Sequence, residues 1–355
     1  MSYPRLIVNV DKFRRNVRTV VDWCRCKGIS LAYVTKCTLA DPVLCEAAQA
    51  EGAALFADSR LLNLEHISSG LPRIMLRIGC PEEADEIVRL ADISLQSEVA
   101  AIRALGKAAR AQGKKHRVVL MIDLGDLREG VYFENSDGIL AAAEAVVRES
   151  SLELYGVGTN LTCFGGIVPS PDNLGALVDI ADDLRRRFTL PLPFVSGGNS
   201  SSLPLLLSGD MPEGVTNLRV GESILLGTDT AHGGRLKGLH PDVFTLEAKL
   251  VEVQRKPSRP VGESSINAFG EAVTFEDRGE MTRGICAIGR QDVDIDGLSP
   301  KEQDLLILGG SSDHMLLDIT KHPELKVGDT LSFSPSYGAL LRLYTSPFVD
   351  KVYFS

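Results

Sequence analysis

Up to about residue 233, the chain alternates short apolar runs with longer segments whose apolar residues recur every three or four positions. One such segment begins at Asp11 and ends at Gly28, and the run "SLAYVTK" (30–36) follows it. The longer period predicts an amphipathic helix, and the short apolar run predicts a buried strand. Asp41-Pro42 then starts the next helix, because proline is favoured in a first helical turn.

This strand–helix order repeats about eight times, which predicts a (β/α)8 barrel rather than an open doubly wound sheet. Strands that are apolar throughout are typical of a parallel sheet covered by helices. No GxGxxG motif follows the first strand, which also disfavours a dinucleotide-binding fold.

The pattern changes after about residue 233, where strand-like runs follow one another with few helical periods between them. Examples are "DLLILGGSSDHMLLDIT" (304–320) and "YGALLRLYTS" (337–346). We therefore predict an α/β chain in two domains. The (β/α)8 TIM-like barrel covers residues 8–233, and a mostly β C-terminal domain covers 234–355 together with 1–7.

Composition and charge exclude several classes of protein. The net charge of -9 argues against nucleic acid as the main partner. Neither a signal peptide nor an apolar run long enough to span a membrane is visible, and the odd number of seven cysteines argues against a disulfide framework. Cys24 and Cys26 have no second pair at zinc-like spacing, so we predict no metal site. These features favour a cytoplasmic protein without membrane contact.

Candidate chemistry lies after the barrel strands, because catalytic groups project from the C-terminal ends of the strands in this fold. Lys36 ends the second strand, and the polar groups that follow later strands are Arg128, Asn160, Asn199, Ser200 and Arg219. A lysine amine, two arginines and small residues that let backbone N–H groups approach a phosphate suggest a pyridoxal phosphate site. Each signal alone has an ordinary explanation, such as a solvated lysine or a helix cap.

Five motifs carry a resemblance to a known family. They are "VTK", "GVGTNLTCFGG", "SGGNSSSL", "LRVGESILLGTDT" and "GGSSDHMLLDI". Through them the chain resembles the alanine racemase-like, fold-type III enzymes that depend on pyridoxal 5'-phosphate. The resemblance covers nearly the whole chain and is greatest for the ornithine racemase-type branch.

The resemblance implies a role for each candidate residue. Lys36 would form the Schiff base with the cofactor and move the α-proton on one face, and Arg219 would face the pyridine nitrogen. Arg128 would lie near the phenolic oxygen, and Asn160 takes the place of a histidine against the ring. The residues implied to hold the phosphate are Asn199, Ser200, Gly221 and Glu222, the last two through backbone N–H groups. Tyr337 is a further candidate for contact with the cofactor.

The chain departs from the family pattern at the second base. Alanine racemases supply a tyrosine from the partner subunit, whereas the matching segment here, "IGRQDVD", has Arg290 at that place. An arginine is a poor general base because it stays protonated. The candidates for the opposite-face base are Asp292, Asp313, His314 and Tyr337. His314 has the most suitable pKa range, although an ordinary polar residue beside a strand explains it equally well.

The acidic residues bear on the substrate. Asp313 could bind a distal amine instead of acting as a base, and Asp292, Asp294 and Asp296 lie on one side of an extended segment. Either they attract a terminal ammonium or they form an exposed acidic loop. The preference for a basic amino acid such as ornithine follows from the resemblance.

We therefore predict a pyridoxal phosphate-dependent amino-acid racemase that forms a head-to-tail homodimer, in which the β domain of one chain closes the barrel of the other. Alternatives are an alanine racemase or another amino-acid racemase, and a fold-type III lyase or decarboxylase. A pyridoxal phosphate-binding protein without enzyme activity is disfavoured, since such proteins resemble the barrel alone.

Overall fold

The computed structural model describes residues 3–267 and 269–355, and it divides into two compact units. Residues 1, 2 and 268, which the predicted domains include, lie outside the described residues. One unit is Asp11–Pro241, and the other is Asp242–Ser355 with the N-terminal segment up to Val10. The first strand, β1 (Arg5–Asn9), runs in the sheet of the second unit.

Eight parallel strands close into a barrel in the Asp11–Pro241 unit. The strands of this unit are β2 (Ser30–Val34), β3 (Leu55–Asp58), β4 (Arg73–Met75), β5 (Ile93–Gln96), β6 (His116–Asp123), the short β7 (Val131–Tyr132) beside β6, β8 (Leu152–Gly158), β9 (Phe194–Ser196) and β10 (Asn217–Val220). The ring runs β2–β3–β4–β5–β6–β8–β9–β10, and β10 pairs again with β2. The predicted (β/α)8 barrel is therefore confirmed.

The helices follow the predicted alternation. They are α1 (Val10–Arg25), α2 (Pro42–Ala50), α3 (Leu61–His66), α4 (Ala84–Leu90), α5 (Val99–Ala111), α6 (Ser136–Val147), α7 (Pro171–Phe188), α8 (Leu203–Ser208) and α9 (Glu222–Leu226). Helix α2 begins as expected, because the Asp41 carboxylate accepts the N–H groups of Val43 and Leu44 and Pro42 takes the first position.

Apolar side chains fill the barrel interior. The core cluster consists of Ala32, Val34, Leu55, Ala57, Ile74, Ile93, Leu95, Val119, Met121 and Phe194. Arg219 on β10 is the register partner of Ala32 on β2, so this guanidinium lies beside a core position of the barrel. A packed interior leaves the strand ends as the place where a small molecule can bind.

The second unit is mostly antiparallel sheet, as predicted. Its later elements are β11 (Phe244–Pro257), β12 (Glu280–Cys286), β13 (Leu298–Pro300), β14 (Leu306–Gly310), β15 (Met315–Asp318), β16 (Thr330–Pro335), α10 (Tyr337–Thr345) and β17 (Asp350–Phe354). Strand β1 pairs antiparallel with β11 and parallel with β17.

The strand-like interpretation of 337–346 is wrong, because Tyr337–Thr345 is helix α10. The Ser336 hydroxyl accepts the N–H of Ala339 and caps the helix, and Leu340, Leu343 and Tyr344 are buried at helical spacing. Within the described part of the chain, no helix has the length and apolar composition needed to cross a bilayer.

Candidate active site

Lys36 lies two residues beyond the end of β2, in a single 3₁₀ turn (Lys36–Thr38), and its side chain is exposed. Leu39 and Ala40 follow in the left-handed region, with φ of 51° and 54°, so the chain turns sharply after the lysine. Among the described residues, no hydrogen bond or ion pair engages the Lys36 amine, in contrast to most cations of the barrel. The amine is therefore available for chemistry at the strand end.

The residue before Lys36 is fixed to the neighbouring strand β3. The Thr35 N–H donates to the Ala57 carbonyl at 2.9 Å, and the Thr35 hydroxyl donates to Asp58 Oδ2 at 2.6 Å. The other oxygen of Asp58 accepts the Arg60 N–H and the Asn63 amide. Burial raises the pKa of Asp58, and these hydrogen bonds act in the opposite direction. The carboxyl group thus anchors the backbone that carries Lys36.

Arg219 is 2% exposed and donates to uncharged acceptors. It bonds the Ser196 hydroxyl, the Thr159 carbonyl at 2.7 Å and Asn160 Oδ1 at 2.5 Å. Burial lowers the pKa of Arg219 to about 10, and the negative charge of Glu129 opposes that shift. A buried guanidinium without a carboxylate on it is costly, and a charge kept under such burial makes Arg219 a candidate for contact with a ligand.

Arg128 and Asn160 meet at Glu129. The Glu129 carboxylate accepts from Arg128 Nε and, at 2.5 Å, from Arg128 Nη2, and it also accepts from the Asn160 amide. Asn160 therefore bonds a carboxylate with its NH₂ group and Arg219 with its carbonyl. The loops after β6 and β8 and the strand β10 are joined at this point.

Backbone donors converge on the Ser200 hydroxyl after β9 and β10. The N–H groups of Gly221 and Ser223 point at Ser200 Oγ from 3.4 and 3.3 Å, which are long hydrogen bonds. A Cβ at residue 221 would lie 3.0 Å from Val34 Cβ and 3.1 Å from the Val34 carbonyl, so only glycine fits without displacing the neighbouring strand. Two weakly engaged N–H groups and a hydroxyl form a donor set that suits phosphate oxygens.

Asn199 has a structural role here. Its side chain accepts the Ser201 N–H and donates to the Leu161 carbonyl and to the Cys163 sulfur, so it ties the turn Ser200–Ser202 to the loop after β8. Contact of Asn199 with a phosphate stays a prediction.

Electrostatic effects link Lys36 to the loops on both sides. Burial raises the pKa of the Cys163 thiol, and the positive charges of Arg128 and Lys36 oppose the rise. Burial likewise raises the pKa of Glu222, whose carboxyl accepts the Thr228 hydroxyl at 3.3 Å, and Lys36 again acts in the opposite direction. The predicted barrel residues therefore share one mouth.

The candidates for the second base lie in the other unit, where the turn between β14 and β15 carries Asp313 and His314. This turn packs against the segment with Arg290, because the N–H groups of Arg290 and Gln291 donate to the carbonyls of Ser311 and Ser312. Both Asp313 and His314 are exposed. Their role as base, and contact of the cofactor with Tyr337 at the start of α10, stay predictions.

The three alternating acidic residues have different partners. Asp292 accepts the Ser346 hydroxyl at 2.6 Å, and Asp296 pairs with Arg290 at 3.3 Å. Asp294 precedes the 3₁₀ turn Ile295–Gly297. Val293 and Ile295 between them are buried, but residues 291–292 form a turn and residues 295–297 a 3₁₀ turn, so the prediction of one extended segment is wrong.

Sequence reasoning missed several residues of the mouth: Thr35, Asp58, Glu129, Thr159, Ser196 and Ser223. Most of them are uncharged, or they lie in a motif in which a neighbouring residue was given the role. A usable signal was the position itself, since Asp58 and Ser196 end β3 and β9 and Thr159 follows β8 directly. In the described residues, no three His, Cys, Asp or Glu side chains are grouped so that they could hold a metal ion.

Two known proteins are similar to this chain over nearly its whole length. The chain is 43% identical over 351 residues to an ornithine racemase from Acetoanaerobium sticklandii, covering 98% of this chain and 99% of that protein. It is 37% identical over 356 residues to a lysine racemase from Thermotoga maritima, covering 99% of both.

The solved structure of an alanine racemase from Streptomyces coelicolor A3(2) aligns with a TM-score of 0.75 at 19% identity, covering 99% of this chain and 98% of that one, which shows a shared fold. Residues 8–229 match the family model for the alanine racemase N-terminal domain. The resemblance predicted from the motifs is therefore confirmed. The chain belongs to the alanine racemase family.

Proposed function

We propose that the protein is a pyridoxal phosphate-dependent racemase that interconverts the L and D forms of a basic amino acid, ornithine or lysine. The observation that carries the proposal is one barrel mouth that combines the exposed amine of Lys36 with the buried guanidinium of Arg219. The near full-length identity to racemases of two diamino acids supports the substrate class.

The residues at the mouth fit the cofactor. Lys36 would bind its aldehyde, Arg219 would donate to its ring, and the N–H groups of Gly221 and Ser223 with the Ser200 hydroxyl would hold its phosphate. When bound, pyridoxal phosphate supplies an electron sink for the negative charge that develops at Cα. Arg219 would keep its proton because a guanidinium is a very weak acid, and it would therefore act as a fixed hydrogen-bond donor.

The protein's own groups then move the proton. Lys36 would take the α-proton on one face, since its amine is exposed and its backbone is fixed through Thr35 and Asp58. A return of the proton from the opposite face would invert the configuration. Arg128 lies within reach of the same region and is suited to a carboxylate of the substrate.

We propose that the opposite-face base comes from the second subunit of a homodimer, with Asp313 or His314 as its source. Apolar side chains around the mouth support a covering partner: Phe164 is 76% exposed and Leu127 is 65% exposed, and both lie in loops that follow barrel strands. A cytoplasmic location is part of the proposal, and the seven free thiols support a reducing compartment.

Mixed dimers test this arrangement. Chains with Lys36→Ala and chains with His314→Ala are each expected to be inactive, and a mixture refolded together is expected to regain activity, because one mouth of each mixed dimer has both bases. Repeating the mixture with Asp313→Ala distinguishes the two candidates. Mixed dimers that form and stay inactive would contradict a base supplied in trans.

The central experiment is chiral chromatography of the purified protein with pyridoxal phosphate and single enantiomers. We expect D-ornithine or D-lysine from the L forms, and the reverse, with slower turnover of alanine. Release of CO₂ or an aldehyde without a D product would support the lyase or decarboxylase alternative. Cofactor binding without any turnover would support a binding protein and overturn the racemase.

A further inference from the structure

Glu129 connects the two arginines of the mouth. Its carboxylate accepts two hydrogen bonds from Arg128 and one from the Asn160 amide, and the carbonyl of the same amide accepts from Arg219. The result is a continuous chain Arg128–Glu129–Asn160–Arg219. The Glu129 side chain is 20% exposed, so these bonds are partly shielded from water.

This series of hydrogen bonds from Arg128 to Arg219 has a defined direction. A carboxylate accepts hydrogen bonds and a guanidinium donates them, whereas an amide does one at each end. Glu129 therefore requires the NH₂ group of Asn160 on its side, and Arg219 requires the carbonyl on the other side. Asn160 is held in one orientation by two charged neighbours.

The charge of Glu129 also reaches the buried arginine. The acceptors on Arg219 are a hydroxyl, a carbonyl and an amide oxygen, and none of them neutralises the guanidinium. Burial lowers the pKa of Arg219 and Glu129 raises it, so the carboxylate compensates part of the cost of burial. Glu129 is thus the negative partner of a site that also holds Arg128 and Lys36.

The other carboxylates of this region have different functions. Asp123 Oδ1 accepts the N–H groups of Gly125 and Leu127, and the Asp126 carboxylate accepts three N–H groups of the loop after β8. Both shape backbone. Glu129 is bonded to side chains of the mouth instead.

We propose that Glu129 is a positioning residue of the racemase, which acts through Asn160 and Arg219 to fix the charge and orientation of the groups that face the cofactor ring. The inference rests on the proposed function, and it assigns to Glu129 no contact with the reacting atoms.

The test compares Glu129→Gln with Glu144→Gln. The second variant removes the same charge from an exposed ion pair between Glu144 on α6 and Arg148, which follows the helix. Both chains are loaded with pyridoxal phosphate, and the visible absorbance and kcat are followed against pH. For Glu129→Gln we expect kcat to fall roughly 10-fold and the alkaline midpoint of the spectrum to move down by about one pH unit, because a mouth that has lost a negative charge releases a proton more easily. Glu144→Gln is expected to match the wild type.

A rescue variant separates charge from packing. In Glu129→Gln/Asn160→Asp the negative charge returns one step closer to Arg219, and we expect the alkaline midpoint to return toward or above the wild-type value. Glu129→Asp, which keeps the charge, serves if Glu129→Gln does not fold, and its midpoint is expected near that of the wild type.

The outcomes are distinguishable. A wild-type chain without racemase turnover overturns the proposed function. A wild type that turns over, with a Glu129→Gln variant of the same spectrum, midpoint and kcat, overturns the present inference alone. A midpoint that the double variant fails to restore would reduce Glu129 to a packing role and also contradict it.

Discussion

Basic side chains gather at both ends of the barrel, but the two ends hold them differently. At the N-terminal ends of the strands, several of them line a cavity of about 590 Å³. Lys114 there donates to the carbonyls of Val88 and Arg89 at the end of α4, and Arg117 pairs with Glu153 at 3.5 Å. These cations are exposed, so each interaction contributes little and each charge costs little.

At the mouth, burial makes the positive charges costly. Arg219 is buried against uncharged acceptors, and among the described residues no ion pair engages Lys36, although Lys36 acts electrostatically on Glu222. The N-terminal end of the barrel also buries a titratable group, His116, which bonds the Ser94 hydroxyl at 2.8 Å. Burial keeps this imidazole neutral by lowering its pKa to about 4. The number of charges therefore does not distinguish the two ends of the barrel, whereas a charge retained under burial does.

The largest effect is expected at Lys36. Replacing it by Ala should lower racemase activity by at least about 10³-fold and remove the visible absorbance of the bound cofactor, because no other amine takes its place. Lys115→Ala at the base of the barrel is the matched control and should retain both signals. Equal losses of activity and absorbance in the two variants would contradict a special role for the lysine at the mouth.

His116 should govern stability and not turnover. In the unfolded chain the pKa of this imidazole is the ordinary 6.5, whereas burial lowers the pKa to about 4 in the folded chain. The stabilisation is therefore present above pH 6.5 and lost as the pH falls toward 4, by roughly 3 kcal/mol. Urea unfolding of the wild type and of His116→Asn at several pH values measures it. If the free energy of unfolding depends on pH in the same way in both proteins, burial of the imidazole has no such effect.

The same substitution should have different effects at two arginines, one at each end of the barrel. Arg219→Lys should lower kcat roughly 10- to 100-fold and shift the cofactor spectrum, because one ammonium cannot reproduce the fork that bonds Ser196, Thr159 and Asn160. Arg117→Lys at the N-terminal end of the barrel keeps an exposed ion pair and loses only the stacking of the guanidinium on Tyr155, so kcat and the cofactor spectrum should stay unchanged. A wild-type spectrum for Arg219→Lys would argue against contact with the ring.

The smallest effect is expected at Asp58. Asp58→Asn keeps the shape of the side chain but replaces an acceptor by a donor, so one of the bonds to Thr35, Arg60 or Asn63 is lost, at about 1 kcal/mol in the free energy of unfolding. A few-fold loss of kcat should accompany it, since the backbone before Lys36 loosens. Asp92→Asn, at an exposed carboxylate at the N-terminal end of the barrel, is the control. A larger loss in the control would refute the anchoring role.

Periodicity was sufficient for the barrel, because its strands are short apolar runs and its longer helices, such as α1 and α5, have an amphipathic face. It failed for Tyr337–Thr345, where three adjacent leucine and alanine positions look alike in a strand and in a helix. The cap at Ser336 decides between them, and a serine is too common to be diagnostic.

The mouth was predictable where a residue carries its own chemistry, as Lys36 and Arg219 do. It was not predictable where a residue acts through a neighbour. In the sequence, Glu129 is one more acidic loop residue. Its position between Arg128 and Asn160 depends on two loops that meet only in the folded barrel. Asp58 is similar, since its partner Thr35 follows another strand, β2.

Asp126 has a consequence for exchanging parts between relatives. Its carboxylate accepts the N–H groups of Cys163, Phe164 and Ile167, and its carbonyl accepts that of Gly165. A single side chain on one loop thus templates the backbone of another loop 37 to 41 residues further along. A chimera that takes residues 161–168 from a relative, but not the loop with Asp126, would lack the acceptors that fix the backbone of the imported loop. The two loops form one module, which must be transplanted together.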